Sequence, residues 1–348
     1  MIVTVVGNSS QSLPVPLIAK WYNNHTAAIT LTYDDGDPAS KSNRIVNNLI
    51  IENQLTIDYE IITYDYSRNP ALLDYLLKKI VPPRFGYFGH GHKHDNHDKF
   101  TYQQALNSFQ KCYQKMKEWG LHPVAYSYPR GAGNAPTTQK ALADSGFLSG
   151  RLHYSKFMTQ PYLVSDQEKE PPNWFALPTL VMQDHSFSNC EKCVGTNQQL
   201  IPYLDQTLNK TAWIILTYHA IGDEKGYGFI KLDQFKKNLE SIKERDFWVA
   251  SLNTVTLYVR ERAHAQVNFN PVFHGEKLEQ IDLTLSDQLP NDIYNQPLTL
   301  VLTLPTQYIG RELLIRENGT VIYSSKIQTA TPMISILPDE IPKTITIK

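Results

Sequence analysis

Cysteine is scarce in this 348-residue chain, and three residues cannot build a disulfide framework, which excludes a small stapled scaffold. An excess of charge is also missing: 33 Lys+Arg stand against 34 Asp+Glu, a formal charge of −1. Phosphate-rich partners demand a basic surplus, so no nucleic acid and no anionic membrane surface is expected as a partner. No apolar run approaches the roughly 18 residues of a membrane helix, so no membrane span is expected. Internal repeats and low-complexity stretches are absent as well. Met1-Ile-Val-Thr-Val-Val lacks a basic n-region and is too short for a signal-peptide core, so no signal peptide is expected in the chain as given.

What is present points to a folded protein. Hydrophobic residues make up 41%, and 20 Tyr, 13 Phe and 5 Trp exclude a disordered chain. The length allows one large domain or a large domain with a small companion. Histidine is the outlier, with four of the 11 inside the eight residues His90 to His97. Four Asn-x-Ser/Thr sequons, at Asn8, Asn24, Asn209 and Asn318, fit a secreted protein but also arise by chance.

The first two-thirds alternates between strand-like and helix-like segments. Ala27–Tyr33 reads as a strand running into Asp34-Asp35-Gly36. Ile45, Val46, Leu49 and Ile50 share a helical face, as do Ala105, Phe109, Cys112, Met116 and Trp119. That second helix opens on Thr101-x-x-Gln104, a capping box, and closes at Gly120. Trp213–Tyr218 is continuously apolar, as in a strand buried on both faces. Such alternation predicts a parallel βα architecture. Residues 158–198 look irregular and read as a long insertion. Past residue 265 short alternating strands follow one another, with Asn318-Gly319 as a hairpin turn, so 266–348 is expected to be a separate β-sandwich after a main domain of 1–265.

Three groups could carry chemistry. Asp34 and Asp35 end a predicted strand, where parallel αβ folds bind ligands, although Asp-Asp-Gly is also ordinary turn chemistry. In Gly89-His-Gly-His-Lys-His-Asp-Asn-His97, His90 and His94 could meet on one helical turn and chelate a cation, with His94/His97 and His92/His97 as competing pairs. His219 leaves a buried strand and suits a general acid or base. Together these groups make a metal hydrolase kit: ligands, a free carboxylate and an imidazole. Cys190-Glu-Lys-Cys193 cannot complete a zinc site, and a local disulfide and two free thiols are equally open.

In order along the chain, these motifs resemble the polysaccharide deacetylases of the NodB-homology type, carbohydrate esterase family 4. Leu31-Thr-Tyr-Asp-Asp-Gly36 resembles the first motif, which implies Asp34 as base and Asp35 as metal ligand. The His-x-x-x-His motif, counted back from the helix at Thr101, implies His90 and His94 as the other ligands and leaves His92 and His97 over. Ala125-Tyr-Ser-Tyr-Pro-Arg-Gly131 resembles the third motif, in which the backbone N–H of Arg130 would face the oxyanion. Leu216-Thr-Tyr-His219 resembles the motif whose histidine protonates the leaving group. Ser127 stands where the family has an arginine beside the base, a charge that Arg130 or Arg151 could supply. Gly146–Arg151 takes the place of the fourth motif without its Trp and Asp.

The resemblance covers roughly residues 25 to 262. It implies a distorted (β/α) barrel followed by the sandwich, a divalent ion (Zn²⁺ first, with Co²⁺ or Ni²⁺ as alternatives), an acetylated carbohydrate as substrate and an extracellular or periplasmic setting. Two other readings are a carbohydrate-binding protein without activity and a metal-dependent amidase for a small non-sugar substrate.

Overall fold

The structure, a computed structural model, describes residues 13–34, 36–82, 85–153, 160–187, 190 and 193–348. Its strands are β1 (Leu17–Ile18), β2 (Ala27–Tyr33), β3 (Asp58–Ile61), β4 (Gly86–Gly89), β5 (Ala125–Ser127), β6 (Ser149–Arg151), β7 (Tyr162–Leu163), β8 (Leu180–Met182), β9 (Trp213–Tyr218) and β10 (Phe247–Val249). The helices are α1 (Lys41–Glu52), α2 (Thr63–Arg68), α3 (Pro70–Tyr75), α4 (Tyr102–Glu118), α5 (Pro136–Ala143), α6 (Asn197–Asn209), α7 (Leu232–Lys243) and α8 (Leu252–His264). The all-β part contributes β11 (Gln266–His274), β12 (Lys277–Ser286), β13 (Leu298–Val301), β14 (Glu312–Glu317), β15 (Thr320–Lys326), β16 (Met333–Ile336) and β17 (Lys343–Ile347). Among the described residues no helix is long and apolar enough to cross a membrane.

Two compact units result, one of residues 25–259 and one of 1–24 with 260–348. In the larger unit β6-β5-β4-β3-β2-β9 run parallel, with β8 parallel beside β9 and β10 beside β2. A parallel bridge from Arg151 to Leu177 joins β6 to the segment that leads into β8, which brings the sheet round into a distorted barrel. Strand β2 is buried along its whole length, as parallel strands covered on both faces are. Its residues Ile29, Leu31 and Tyr33 join the apolar cluster under the helices. The alternate residues Thr30, Thr32 and Asp34 face the opposite way. Thr30 accepts the Trp213 indole N–H at 3.0 Å and Thr32 lies 3.2 Å from the Thr217 hydroxyl, so this second face is polar and internally hydrogen-bonded.

Residues 158–198 are more than an insertion. They supply β7, which pairs antiparallel with β9, and β8, both too short to show a period of two. Cys190 and Cys193 form a disulfide, and Cys112 is buried and free. In the smaller unit β1-β13-β16 form one antiparallel sheet and β11-β12-β17-β14-β15 another. Leu17 pairs with Val301, so the N-terminal stretch expected in the main domain is grouped with the C-terminal strands. Asn318 and Gly319 both have positive φ, at 49° and 81°, and join β14 to β15.

Candidate active site

The C-terminal ends of β2, β4, β5 and β9 and the residues that follow β6 bring their side chains to one pocket of about 310 Å³. Asp34, His90, His94, Tyr128, Arg130, Gly131, His153, His219 and Tyr227 line it. Five of the six residues nominated from the sequence are therefore together. The sixth, Asp35, lies outside the described residues.

The histidine segment makes no helical turn between His90 and His94, contrary to the expectation for that pair. Gly91 instead reverses the chain at φ 101°, and a Cβ there would lie 2.3 Å from the Lys93 carbonyl oxygen, so only glycine fits. The reversal leaves the His90 and His94 rings 5.0 Å apart, centroid to centroid. His90 Nδ1 lies 3.0 Å from the Ser127 carbonyl, which can only accept, so this nitrogen carries the proton. Burial, with His94 and Arg151 adding to it and Asp34 opposing, brings the His90 pKa down to about 3 and keeps the ring neutral. The other two histidines of the run are structural. His92 Nδ1 contacts the Thr63 hydroxyl at 3.0 Å, and His97 is buried against Phe109 with Nε2 3.0 Å from Ser108 Oγ.

The Pro129-Arg130-Gly131 turn is fastened to the same segment. Asp98 accepts backbone N–H groups from Gly133 at 3.0 Å and Asn134 at 3.1 Å, and the Asn96 amide donates to the Arg130 carbonyl at 3.3 Å. Arg130, in the pocket lining, has φ 56°, a left-handed conformation uncommon outside glycine. Its Nε lies 3.4 Å from His94 Nδ1.

Asp34 is buried and ion-paired with Arg151, which is fully buried in β6. Burial alone would raise the Asp34 pKa. The Arg151 guanidinium, with His90, His219 and His153, outweighs it and leaves the carboxyl at about 2. The cation beside Asp34 thus comes from β6, while Ser127 offers its hydroxyl to Asp34 at 3.4 Å. His219 follows β9, and Ala220 after it takes a positive φ of 30°. Burial lowers the His219 pKa to about 4, with Asp34 opposing.

His153, which belongs to none of the sequence motifs, also lines the pocket. Its ring stands edge-on to His219 at 5.0 Å, and one ligand-type atom each of Asp34, His153 and His219 lies within 4.8 Å of the others. The signal was spacing: two residues after Arg151 on a strand axis lies the same face. Tyr227, edge-on to His219 at 5.2 Å, comes from a loop with no motif of its own.

These groups suit a divalent ion. His90 is a neutral imidazole whose Nδ1–H is held by a carbonyl, which fixes the tautomer and leaves Nε2 as the donor. Its distance from the His94 ring is about the 5 Å expected of two imidazoles on one tetrahedral ion. Asp34, His153 and His219 form a second ligand-type set, in which one oxygen of Asp34 is already engaged by Arg151.

Compared by sequence, the chain matches no family model and no curated protein. Solved structures do match. A protein assigned as a polysaccharide deacetylase from Mycobacterium smegmatis is 17% identical with a TM-score of 0.51, over 72% of this chain and 95% of that one. A family 4 carbohydrate esterase from Streptomyces lividans is 14% identical with a TM-score of 0.42, over 65% of this chain and 92% of the other. A peptidoglycan deacetylase from Bacillus subtilis is 11% identical with a TM-score of 0.41, over 68% and 92%. The first likeness establishes the fold, the distorted (β/α) barrel of the NodB-homology polysaccharide deacetylases.

Proposed function

We propose that this chain, built on the polysaccharide deacetylase fold, is a metal-dependent hydrolase that removes N- or O-linked acetyl groups from a carbohydrate. The observation that supports the reading is the meeting of Asp34, His90, His94, Arg130 and His219 in one pocket, from segments far apart in sequence. His90 and His94, with Asp35 as the expected carboxylate, would hold the ion. A bound divalent ion supplies Lewis acidity, polarising an acetyl carbonyl and acidifying a water molecule.

The protein groups then divide the remaining work. Asp34, kept ionised by Arg151, takes the proton of the attacking water. The Arg130 backbone N–H, fixed by the Asp98 and Asn96 contacts around its turn, faces the developing oxyanion. Neutral at rest, His219 stands within 4.8 Å of Asp34, a separation that one bridging water spans, so the proton taken by Asp34 passes through that water to His219 and from it to the departing amine or alcohol. Replacing the base tests the scheme. Asp34→Asn keeps the side-chain volume, so acetate release should fall by at least about 10³-fold while elemental analysis finds the metal content intact. Turnover equal to that of the parent protein would remove Asp34 from the role.

A further inference from the structure

We propose that Asp34, His153 and His219 hold a divalent cation at a site of their own, beside the one assigned to Asp35, His90 and His94, and that its occupancy stops turnover. The binding needs only these three side chains, whereas the inhibition rests on the roles given to Asp34 and His219 above. One ligand-type atom of each lies within 4.8 Å of the other two, and no other such trio of His, Cys, Asp or Glu occurs among the described residues. The fold builds the group from three strands. Tyr33 of β2 is in register with Tyr218 of β9, so Asp34 and His219 leave neighbouring strands side by side. His153 follows β6, and the Thr179 hydroxyl, 3.0 Å from its carbonyl, fastens it ahead of β8, which pairs with β9.

Two imidazoles and one carboxylate are the donors of a transition-metal site. The His153 and His219 rings stand 5.0 Å apart, centroid to centroid, the same separation as His90 and His94. Donor atoms about 2.0 Å from a tetrahedral Zn²⁺ stand about 3.3 Å apart, so side-chain rotations within the pocket suffice to close the trio on an ion. Arg151 engages Oδ1 of Asp34, which leaves Oδ2, 3.4 Å from the Ser127 hydroxyl, with a lone pair to donate. The same guanidinium repels an added cation. This site is therefore the weaker of the two and fills only when the ion is in excess. An ion there takes lone pairs from both protein groups of the proton path, Asp34 and His219. Excess Zn²⁺ thus inhibits by occupying base and acid together.

Binding is read first, without turnover. Metal-free wild-type protein, His153→Gln and His94→Gln are titrated with Zn²⁺ by calorimetry, and bound ions are counted by elemental analysis. Acetate release is then followed as Zn²⁺ rises past one equivalent. Circular dichroism and Tm of the metal-free proteins check folding, with His153→Asn as the substitute should His153→Gln fail to fold. The proposal predicts two ions per wild-type chain, one tighter and one weaker. His153→Gln should lose the weaker and His94→Gln the tighter. With each protein's rate normalised to its own value at one equivalent, the wild-type rate should fall as the weaker site fills. His153→Gln should need at least about tenfold more Zn²⁺ for the same fall, since loss of even an outer partner of a metal ligand costs that much. A weaker step in the His153 variant within about threefold of wild type overturns the site, and a filled weaker site with an undiminished rate overturns its inhibitory role. A single ion that His94→Gln removes and His153→Gln leaves also overturns the proposal, with the metal-dependent reading intact. A single ion that His153→Gln removes and His94→Gln leaves would keep this site and overturn His90 and His94 as ligands. Wild-type protein that binds no ion would overturn both.

Discussion

At Asp34 two opposing influences meet: burial, which favours the neutral acid, and the Arg151 guanidinium, which favours the carboxylate and prevails. The sign of a substitution follows. With Arg151→Met the burial effect is left unopposed, the Asp34 pKa rises, and the acidic limb of the kcat/KM profile should move to higher pH. Arg151→Lys should recover part of the lost rate, since a point charge replaces a two-pronged one. Because removing one partner of a buried pair costs about 3–5 kcal/mol, the profile should be read beside a denaturant titration of the same variant. An unmoved acidic limb in a folded Arg151→Met protein would contradict the assigned role. Arg151 also shows what a motif-by-motif reading sees. The missing arginine at Ser127 was visible, as were Arg130 and Arg151 as candidates to replace it. The choice between them required knowing that β6 and β2 deliver their ends to one pocket.

Local signals made some elements legible and left others hidden. Thr101 and Gln104 form the full reciprocal capping box of α4, and Trp213–Tyr218 is a strand with the expected bounds, because each pattern carries its own physical cause. The strands β1, β7 and β8 have two or three residues each, too few for a hydrophobic period, and pairing alone defines them. The end of α8 carries a further signal invisible to pattern reading, a carboxyl group in an apolar setting. Burial, with Asp287 adding and the Gln296 N–H opposing, raises the Glu261 pKa from 4.5 to about 8. Between those values the unfolded chain releases a proton that the folded chain retains. Glu261 thus favours folding below about pH 4.5, and that contribution is lost as the pH rises through 8. Glu261→Gln should therefore raise the stability at pH 8.5 by a few kcal/mol at most, about the scale of such a buried shift, and the gain should vanish at pH 5. Parallel stability curves for the two proteins from pH 5 to 8.5 would refute it.

At the scale of the whole molecule, the alternation of strands and helices in the first part and the short alternating strands of the last were both readable as two architectures. Where the units divide was less so: Leu17–Ile18 falls with the C-terminal strands through pairing with residues almost 300 positions away, which no local pattern reports. The site followed the same division. Asp34, His90, His94, Arg130 and His219 stand inside recognisable motifs, while His153 and Tyr227 reach the same pocket only through the closure of the barrel. The chain's near-neutral charge and a pocket that, among the described residues, is lined by imidazoles, one carboxylate, Arg130 and tyrosines are in keeping with the weakly charged, acetylated substrate proposed above. The most direct test is acetate release from a panel of N- and O-acetylated glycans by the full chain as purified, after chelation, and after return of Zn²⁺. The account predicts release from at least one glycan, its loss on chelation and its recovery with the ion. Undiminished release by the metal-free protein, or release from none of the panel by the reconstituted one, would contradict it.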